Sequence, residues 1–307
     1  MTSIALKAEP KTGAKIIDGR AVAREMRAEQ KLRVEALKKK TGVTPGLAVV
    51  LVGEDPASAL YVANKVKACD AVGITSFSHR FPATITNEEL LGLIETLNAD
   101  PAVHGILVQL PLPRHIDMAK VLETITPEKD VDGFHLYNVG ALVVGRQIFP
   151  PCTPYGVMNL LKHENIPIEG RNVVVVGASN IVGKPMALML MAQDATVAIC
   201  HAKTRDLAQF TILADILVVA AGVPNLILPQ MVKTGVVVID VGINRLPDGR
   251  VVGDVDFEGV SKKASYITPV PGGVGPMTIT MLIDNTILSA ERSTGLRTDD
   301  PREEAVA

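Results

Sequence analysis

A chain of 307 residues, 47% of them hydrophobic, is long enough to build one large or two ordinary domains. Its formal net charge of −2 offers no basic footprint for nucleic acid or an anionic membrane, and with no Trp and 3% aromatic residues it has few platforms on which bases stack. The expectation is a protein with no nucleic-acid partner and no membrane partner.

Cys69, Cys152 and Cys200 lie far apart in the chain, which favours free thiols in a reducing, cytoplasmic setting. No CxxC or HxxxH spacing occurs, so no metal site is expected. Residues 1–15 carry Lys7, Lys11 and Lys15 without an apolar core, unlike a signal peptide. The longest apolar run, 211–228, is broken by Asp215, Gly222 and Pro224 and falls short of the roughly 20 apolar residues a span needs.

In chain order, residues 1–13 read as a loose tail. GRAVAREMRAEQKLRVEALKKKTG spaces Val22, Met26, Leu32 and Leu37 as a helix and places lysines at its negative end before Gly42. GLAVVLVG (46–53) is a continuous apolar run, expected of a strand buried on both faces. A helix opening near Pro56 runs to Val72 and stops at Gly73. ITSFSHRF is a weaker strand. Thr86 and Glu89 form a capping-box pattern for TNEELLGLIETLNAD. GILVQLPLP (105–113) reads as the next buried strand, with the amide of Gln109 lying oddly in its apolar text.

After PPCTP (150–154) the helix YGVMNLLKHEN leads to RNVVVVGASNIVGKP, and the strands ATVAIC, ADILVVAAG and GVVVIDVG follow. Strand and helix alternate throughout, which argues for an α/β protein with mostly parallel sheets. The expected division is a second α/β domain over 153–277 and a first domain made of 1–152 and 278–307. The final helix, PMTITMLIDNTILSAER, starts at Gly275-Pro276 and is apolar enough to pack back on the first domain. Residues 293–307 read as a polar, flexible tail.

VVVVGASNIVGKPMALML has the strand, glycine turn and helix order of a dinucleotide site, spaced G-x-S-x-x-x-G. Ser179 replaces the second glycine and offers a hydroxyl; a Rossmann-like turn without ligand fits the same text. The next strand ends in CHAKTRD, where NAD sites commonly carry an acid. His201, Lys203 and Arg205 there attract a 2′-phosphate and favour NADP over NAD, although a solvated basic loop reads the same way.

Ser58, Tyr61 and Lys65 share one helix face at i, i+3, i+7. A lysine snorkelling beside a half-buried tyrosine fits equally. In PEKDVDGFH, Asp130 and Asp132 flank Val131, and alternation points both carboxylates the same way; a turn-forming Asx pair is the other reading. TPVPGGVGPMT (268–278) builds a rigid loop whose backbone can approach a flat ligand.

Taken in series, YVANKVKACDAVGI, GILVQLPLP, PEKDVDGF, PCTP, VVVVGASNIVGKPMA, DVGIN, GDVDF and TPVPGGVGPMT resemble the bifunctional methylenetetrahydrofolate dehydrogenase/methenyltetrahydrofolate cyclohydrolases over roughly residues 14–290. The resemblance implies an N-terminal catalytic domain, a Rossmann-like NADP-binding domain and a homodimer in one-carbon metabolism and purine biosynthesis. It makes Lys65 the cyclohydrolase catalyst, Gln109 its orienting partner and Asp132 the folate anchor. Tyr61 lines the folate slot, with Ser58, Pro271, Gly272 and Gly275 as further substrate contacts.

For the cofactor the resemblance implies Gly177, Ala178, Ser179, Ile181 and Val182 in the glycine loop, His201, Lys203 and Thr204 after the next strand, and Ile243 in DVGIN. Many relatives have Arg where this chain has Ala178, and others supply Arg in the H-x-x-T stretch, where this chain has Lys203. The 2′-phosphate contact is thus weaker than in either pattern.

The implied reactions are oxidation of 5,10-methylenetetrahydrofolate with NADP⁺ and hydrolysis of the product. The carbon oxidised lies between two nitrogens and yields a stabilised amidinium, so hydride transfer needs positioning and no general base. Hydrolysis does need proton handling, which a buried lysine facing a cationic substrate supplies. A dehydrogenase lacking the second activity and a non-catalytic nucleotide-binding protein are the alternatives.

Overall fold

The computed structural model describes residues 13–297. The expected tails fall outside them, apart from Gly13 and residues 293–297. There the last helix runs through Ser293 and closes in a turn, with Gly295 N donating to Arg292 O.

The chain enters as a two-residue strand, β1 (Lys15–Ile16), and Asp18 then caps α1 (Gly19–Thr41) by accepting from Arg20 N and Ala21 N. Lys38, Lys39 and Lys40 occupy the last turn and Gly42 closes it at φ 77°. Val22 and Leu37 are buried as expected, but Leu32 is 65% exposed, and Gln30 and Val34 complete the inner stripe. All seven residues of β2 (Gly46–Val52) are buried. Leu47, Val49 and Leu51 pack with α1 and α2 (Pro56–Val72), while Ala48, Val50 and Val52 pack with residues further along the chain. β3 (Thr75–Phe81), α3 (Asn87–Ala99, with both halves of the Thr86–Glu89 capping box formed) and β4 (Gly105–Val108) follow, giving a parallel sheet ordered β3-β2-β4.

Short helices α4 (Met118–Thr124) and α5 (Leu136–Val143) lead to α6 (Cys152–His163), which starts three residues before the expected YGVM. The second sheet then builds from β5 (Asn172–Val176), α7 (Gly183–Met191), β6 (Thr196–Cys200), α8 (Ala208–Thr211), β7 (Ile216–Val219) and β8 (Val237–Asp240). A small antiparallel pair, β9 (Asn244–Arg245) and β10 (Val251–Val252), precedes α9 (Phe257–Val260), β11 (Tyr266–Ile267) and α10 (Val274–Ser293).

The larger sheet is parallel, in the order β1-β11-β8-β7-β5-β6. β1 therefore crosses from the start of the chain to the edge of the second sheet, with Lys15 opposite Tyr266. A two-residue strand carries no periodicity that could announce this pairing. α10 returns to the first unit as expected. Gln30 Nε2 donates to Thr280 O at 3.0 Å, Arg33 pairs with Asp284 and Glu291, and Met277, Met281, Ile283 and Ile287 are fully buried.

Candidate active site

Lys65 sits on the buried side of α2, 8% exposed, between the fully buried Cys69 and the nearly buried Val62 and Ser58. Its Nζ donates to Gln109 Oε1 at 3.0 Å. Gln109 is not inside β4 as its position in the apolar run suggested. It is the first residue beyond the strand, still tied to β2 by its N–H on Val50 O at 2.9 Å, and so its side chain emerges at the sheet's carboxyl end. In parallel α/β sheets that end is where ligands bind.

A cavity of about 200 Å³ opens there. Lys65, Gln109, Asp132, Phe134, Cys152, Thr153 and Thr278 line it, and Ile181 joins them from the glycine loop of the second unit. Tyr61 stands one helical turn outward from Lys65, 40% exposed, and Ser58 lies further along the same helix; neither lines the cavity. Cys152 is no nucleophile, because burial, reinforced by Asp132, pushes its thiol well above the ordinary range.

The two aspartates do not point the same way. Residues 130–133 form a turn, where strand alternation does not apply. Asp130 is buried and its Oδ2 accepts from His135 N at 2.7 Å and Asn138 Nδ2 at 2.8 Å, which fixes the start of α5. Burial pushes its carboxyl up to about 7. Asp132 alone faces the cavity.

What holds the Asp132 turn has no signature in the sequence. Along one face of α10, Asn285 Nδ2 donates to Val131 O at 2.8 Å and Pro150 O at 3.1 Å, Ser289 Oγ to Glu128 O at 2.8 Å, and Arg292 Nη1 to Ile148 O at 2.9 Å. The spacing i, i+4, i+7 is helical, but the acceptors are main-chain carbonyls that leave no mark on the sequence.

At the second unit's carboxyl edge, Gly177 has φ +122°, and a Cβ there would collide with Ala220 O. Only glycine fits that approach. Ser179 Oγ accepts from Val182 N at 3.1 Å and Gly183 N at 3.3 Å, so it braces the loop into α7, and its hydroxyl hydrogen stays available to a phosphate. Ala178 and Val182 are half-buried and Ile181 is exposed.

After β6, His201 N donates to Thr204 Oγ1 and Lys203 N to His201 Nδ1, folding a compact turn with exposed Lys203 and Arg205. The nearby acid, Asp206, is engaged with Ala208 N. Ile243 is 49% exposed beyond β8. Pro271, Gly272 and Gly275 lie at the N-terminal end of α10, with Gly275 one turn before Thr278, and Gly272 O accepts from Arg20 N at 3.1 Å.

A larger crevice of about 250 Å³ lies at the opposite, amino ends of β7, β8 and β11. Its acid, Asp215, is already bound to Lys233 and to Asn172 N. Among the described residues, no group of three or more His, Cys, Asp or Glu is placed to hold a metal, and no helix is long and apolar enough to cross a membrane.

The model of the tetrahydrofolate dehydrogenase/cyclohydrolase catalytic domain matches residues 17–132, and that of the corresponding NAD(P)-binding domain matches residues 151–294. The bifunctional protein FolD of Nitrosospira multiformis is 61% identical over 280 residues, which is 91% of this chain and 97% of that one. Among solved structures, the bifunctional enzyme FolD of Campylobacter jejuni has a TM-score of 0.89 at 56% identity, covering 91% of this chain and 99% of its own. The methylenetetrahydrofolate dehydrogenase-cyclohydrolase of Trypanosoma brucei, solved with NADP cofactor and an inhibitor, has a TM-score of 0.89 at 42% identity, covering 94% and 100%.

Proposed function

The chain belongs to the tetrahydrofolate dehydrogenase/cyclohydrolase family, and from that premise we propose how its residues share the two reactions. The enzyme oxidises 5,10-methylenetetrahydrofolate to 5,10-methenyltetrahydrofolate with NADP⁺ and hydrolyses that cation to 10-formyltetrahydrofolate. The observation that carries the residue assignment is the Lys65–Gln109 hydrogen bond, made in a cavity that Asp132 also lines.

Asp132 accepts the adjacent N–H donors of the pterin edge in a bidentate manner. Tyr61 packs along the ring system at the mouth, with Ser58, Pro271, Gly272 and Gly275 around it. For hydrolysis, water adds to the amidinium carbon. The Lys65 amine takes a proton from it and returns one to the departing ring nitrogen as the carbon–nitrogen bond opens. Gln109 aims the amine.

NADP⁺, when bound, supplies the hydride acceptor. Gly177, Ala178, Ser179, Ile181 and Val182 hold its diphosphate. Lys203, with His201 and Thr204 shaping the turn, faces the 2′-phosphate, and Ile243 borders the nicotinamide end. The residues suit it: the glycine cradle has no room for a side chain, and the acid near the end of β6 is turned to an amide.

The division into 1–152 with 278–307, and 153–277, belongs to the same proposal, with β1 of the first stretch lent to the second sheet. So does a homodimer, supported by the open edge of β6, on which Ile199 is exposed. The three buried free thiols support a cytoplasmic location.

The deciding experiment follows NADPH formation from methylenetetrahydrofolate with NADP⁺ and NAD⁺ in parallel, and separately the decay of methenyltetrahydrofolate. Faster reduction of NADP⁺ and rapid decay are expected. Decay at the uncatalysed rate would leave a dehydrogenase alone.

A further inference from the structure

Two carboxylates lie inside the second unit, away from the cavity. Asp254 is fully buried and Asp240 nearly so. Asp254 Oδ2 accepts from Ala221 N at 2.7 Å and Gly222 N at 2.9 Å; its Oδ1 accepts from Val223 N at 2.9 Å and Asn244 Nδ2 at 2.8 Å. Asp240 Oδ1 accepts from Gly242 N and Asp254 N, both at 3.0 Å, and Oδ2 from Val255 N at 3.0 Å. Every one of these donors is an amide.

Three consecutive N–H groups converge on Asp254 because Gly222 adopts φ +67°. Such an alternation of backbone hand makes a nest, a concavity that otherwise binds phosphate or another anion. Here the anion is the protein's own. The nest follows β7, and Ala220, the residue before it, packs its carbonyl against Gly177 of the phosphate loop. On its other side Asp254 meets the loop after β8. A Cβ on Gly242 would collide with its carboxylate, and Asn244 is bonded to it, so Ile243 between them is turned outward. Asp240 secures the arrangement reciprocally, since a Cβ on Gly253 would strike the Asp240 carboxylate.

We propose that Asp254 is a positioning residue for the dehydrogenase reaction: it fills the nest at 221–223, fixes the loops after β7 and β8 against the phosphate-loop glycine, and so shapes the cofactor site without touching the cofactor. With its amides spent on Asp254, the nest offers none to a phosphate. The diphosphate is left to the loop after β5, and the loops held by Asp254 meet the nicotinamide end, which carries no phosphate. This rests on the cofactor reading given above.

The hydrolysis of methenyltetrahydrofolate runs without nucleotide and separates this role from general stability. Asp254→Asn keeps the shape but turns one donor group against the nest amides. The KM for NADP⁺ should rise about ten- to a hundred-fold, while hydrolysis, started from methenyltetrahydrofolate, stays within about two-fold of wild type. Asn244→Ala removes a single donor and should raise the KM for NADP⁺ about three- to ten-fold, again sparing hydrolysis. It decides the matter alone if the first variant does not fold. An unchanged KM for NADP⁺ in Asn244→Ala, or a parallel loss of both activities in either variant, overturns the proposal. Wild-type protein lacking NADP⁺ reduction overturns the cofactor reading itself, a separate result.

Discussion

Gln109 gives its Nε2 to Leu110 O at 2.7 Å while its Oε1 takes the Lys65 Nζ at 3.0 Å. The carbonyl of the next residue therefore decides which end of the amide meets the lysine. Turned over, the amide would set donor against donor at Lys65 and oxygen against oxygen at Leu110. The lysine has one stable direction, and it lies along the cavity wall.

Lys65→Met keeps much of the length and removes the amine. Hydrolysis of methenyltetrahydrofolate should fall roughly 10²–10⁴-fold, the worth of one positioned acid/base group, with part of the dehydrogenase rate surviving. Gln109→Ala should show a milder loss of the same kind. The measurement is the pair of rates for each variant. Proportionate loss of both reactions in Lys65→Met would mean that the lysine only positions the substrate.

Asp132→Asn preserves shape but replaces an acceptor with a donor facing the pterin N–H groups. The KM for methylenetetrahydrofolate should rise about ten-fold or more with the KM for NADP⁺ unchanged, since the charged half of a bidentate pair is lost. A wild-type folate KM removes Asp132 from the substrate site.

Lys203 stands exposed on the turn after β6. Lys203→Ala should lower the NADP⁺/NAD⁺ ratio of kcat/KM by about ten-fold, chiefly through the KM for NADP⁺, as expected for one exposed cation on a phosphate. The effect should shrink as salt is raised. A ratio equal to wild type at low salt would point to Arg205 instead.

Asp130 gives a stability signature. Burial raises its carboxyl from the ordinary 3.8 to about 7, against the opposing pull of Asn138 and the amides of His135 and Phe134. The folded chain then holds this proton more tightly than the unfolded one, so its contribution to stability is lost as pH rises from about 4 to about 7 and is level above that. Asp130→Asn has no such proton. Relative to wild type the variant should gain about 2 kcal/mol between about pH 5.5 and pH 8, read from denaturant titrations at the two values. Parallel stability–pH curves would rule out a raised Asp130.

The parts of this molecule that were readable from its sequence are those whose physics is local. The Thr86–Glu89 box, the closing glycines 42 and 73, and the strand–glycine–helix order at Gly177 each depend on residues a few positions apart. Gln109 stands out in the sequence as a polar group against an apolar background, but the strand ends one residue before it. Strand alternation does not govern Asp130 and Asp132, because their segment is a turn. Asn285 and Asp254 are silent in the sequence because their partners are main-chain carbonyls and amides remote along the chain, 154 residues away for Asn285 and Val131. Such contacts have no residue-type signature.

The grip of α10 on the Asp132 turn has a consequence for biosynthesis. Lys65, Gln109 and Asp132 are synthesised well before the side chains that fasten the turn, Asn285, Ser289 and Arg292. The nascent first unit carries all its reactive groups and lacks the strut that sets them. Stop codons placed even a few turns before Arg292 should therefore silence residues made long before them.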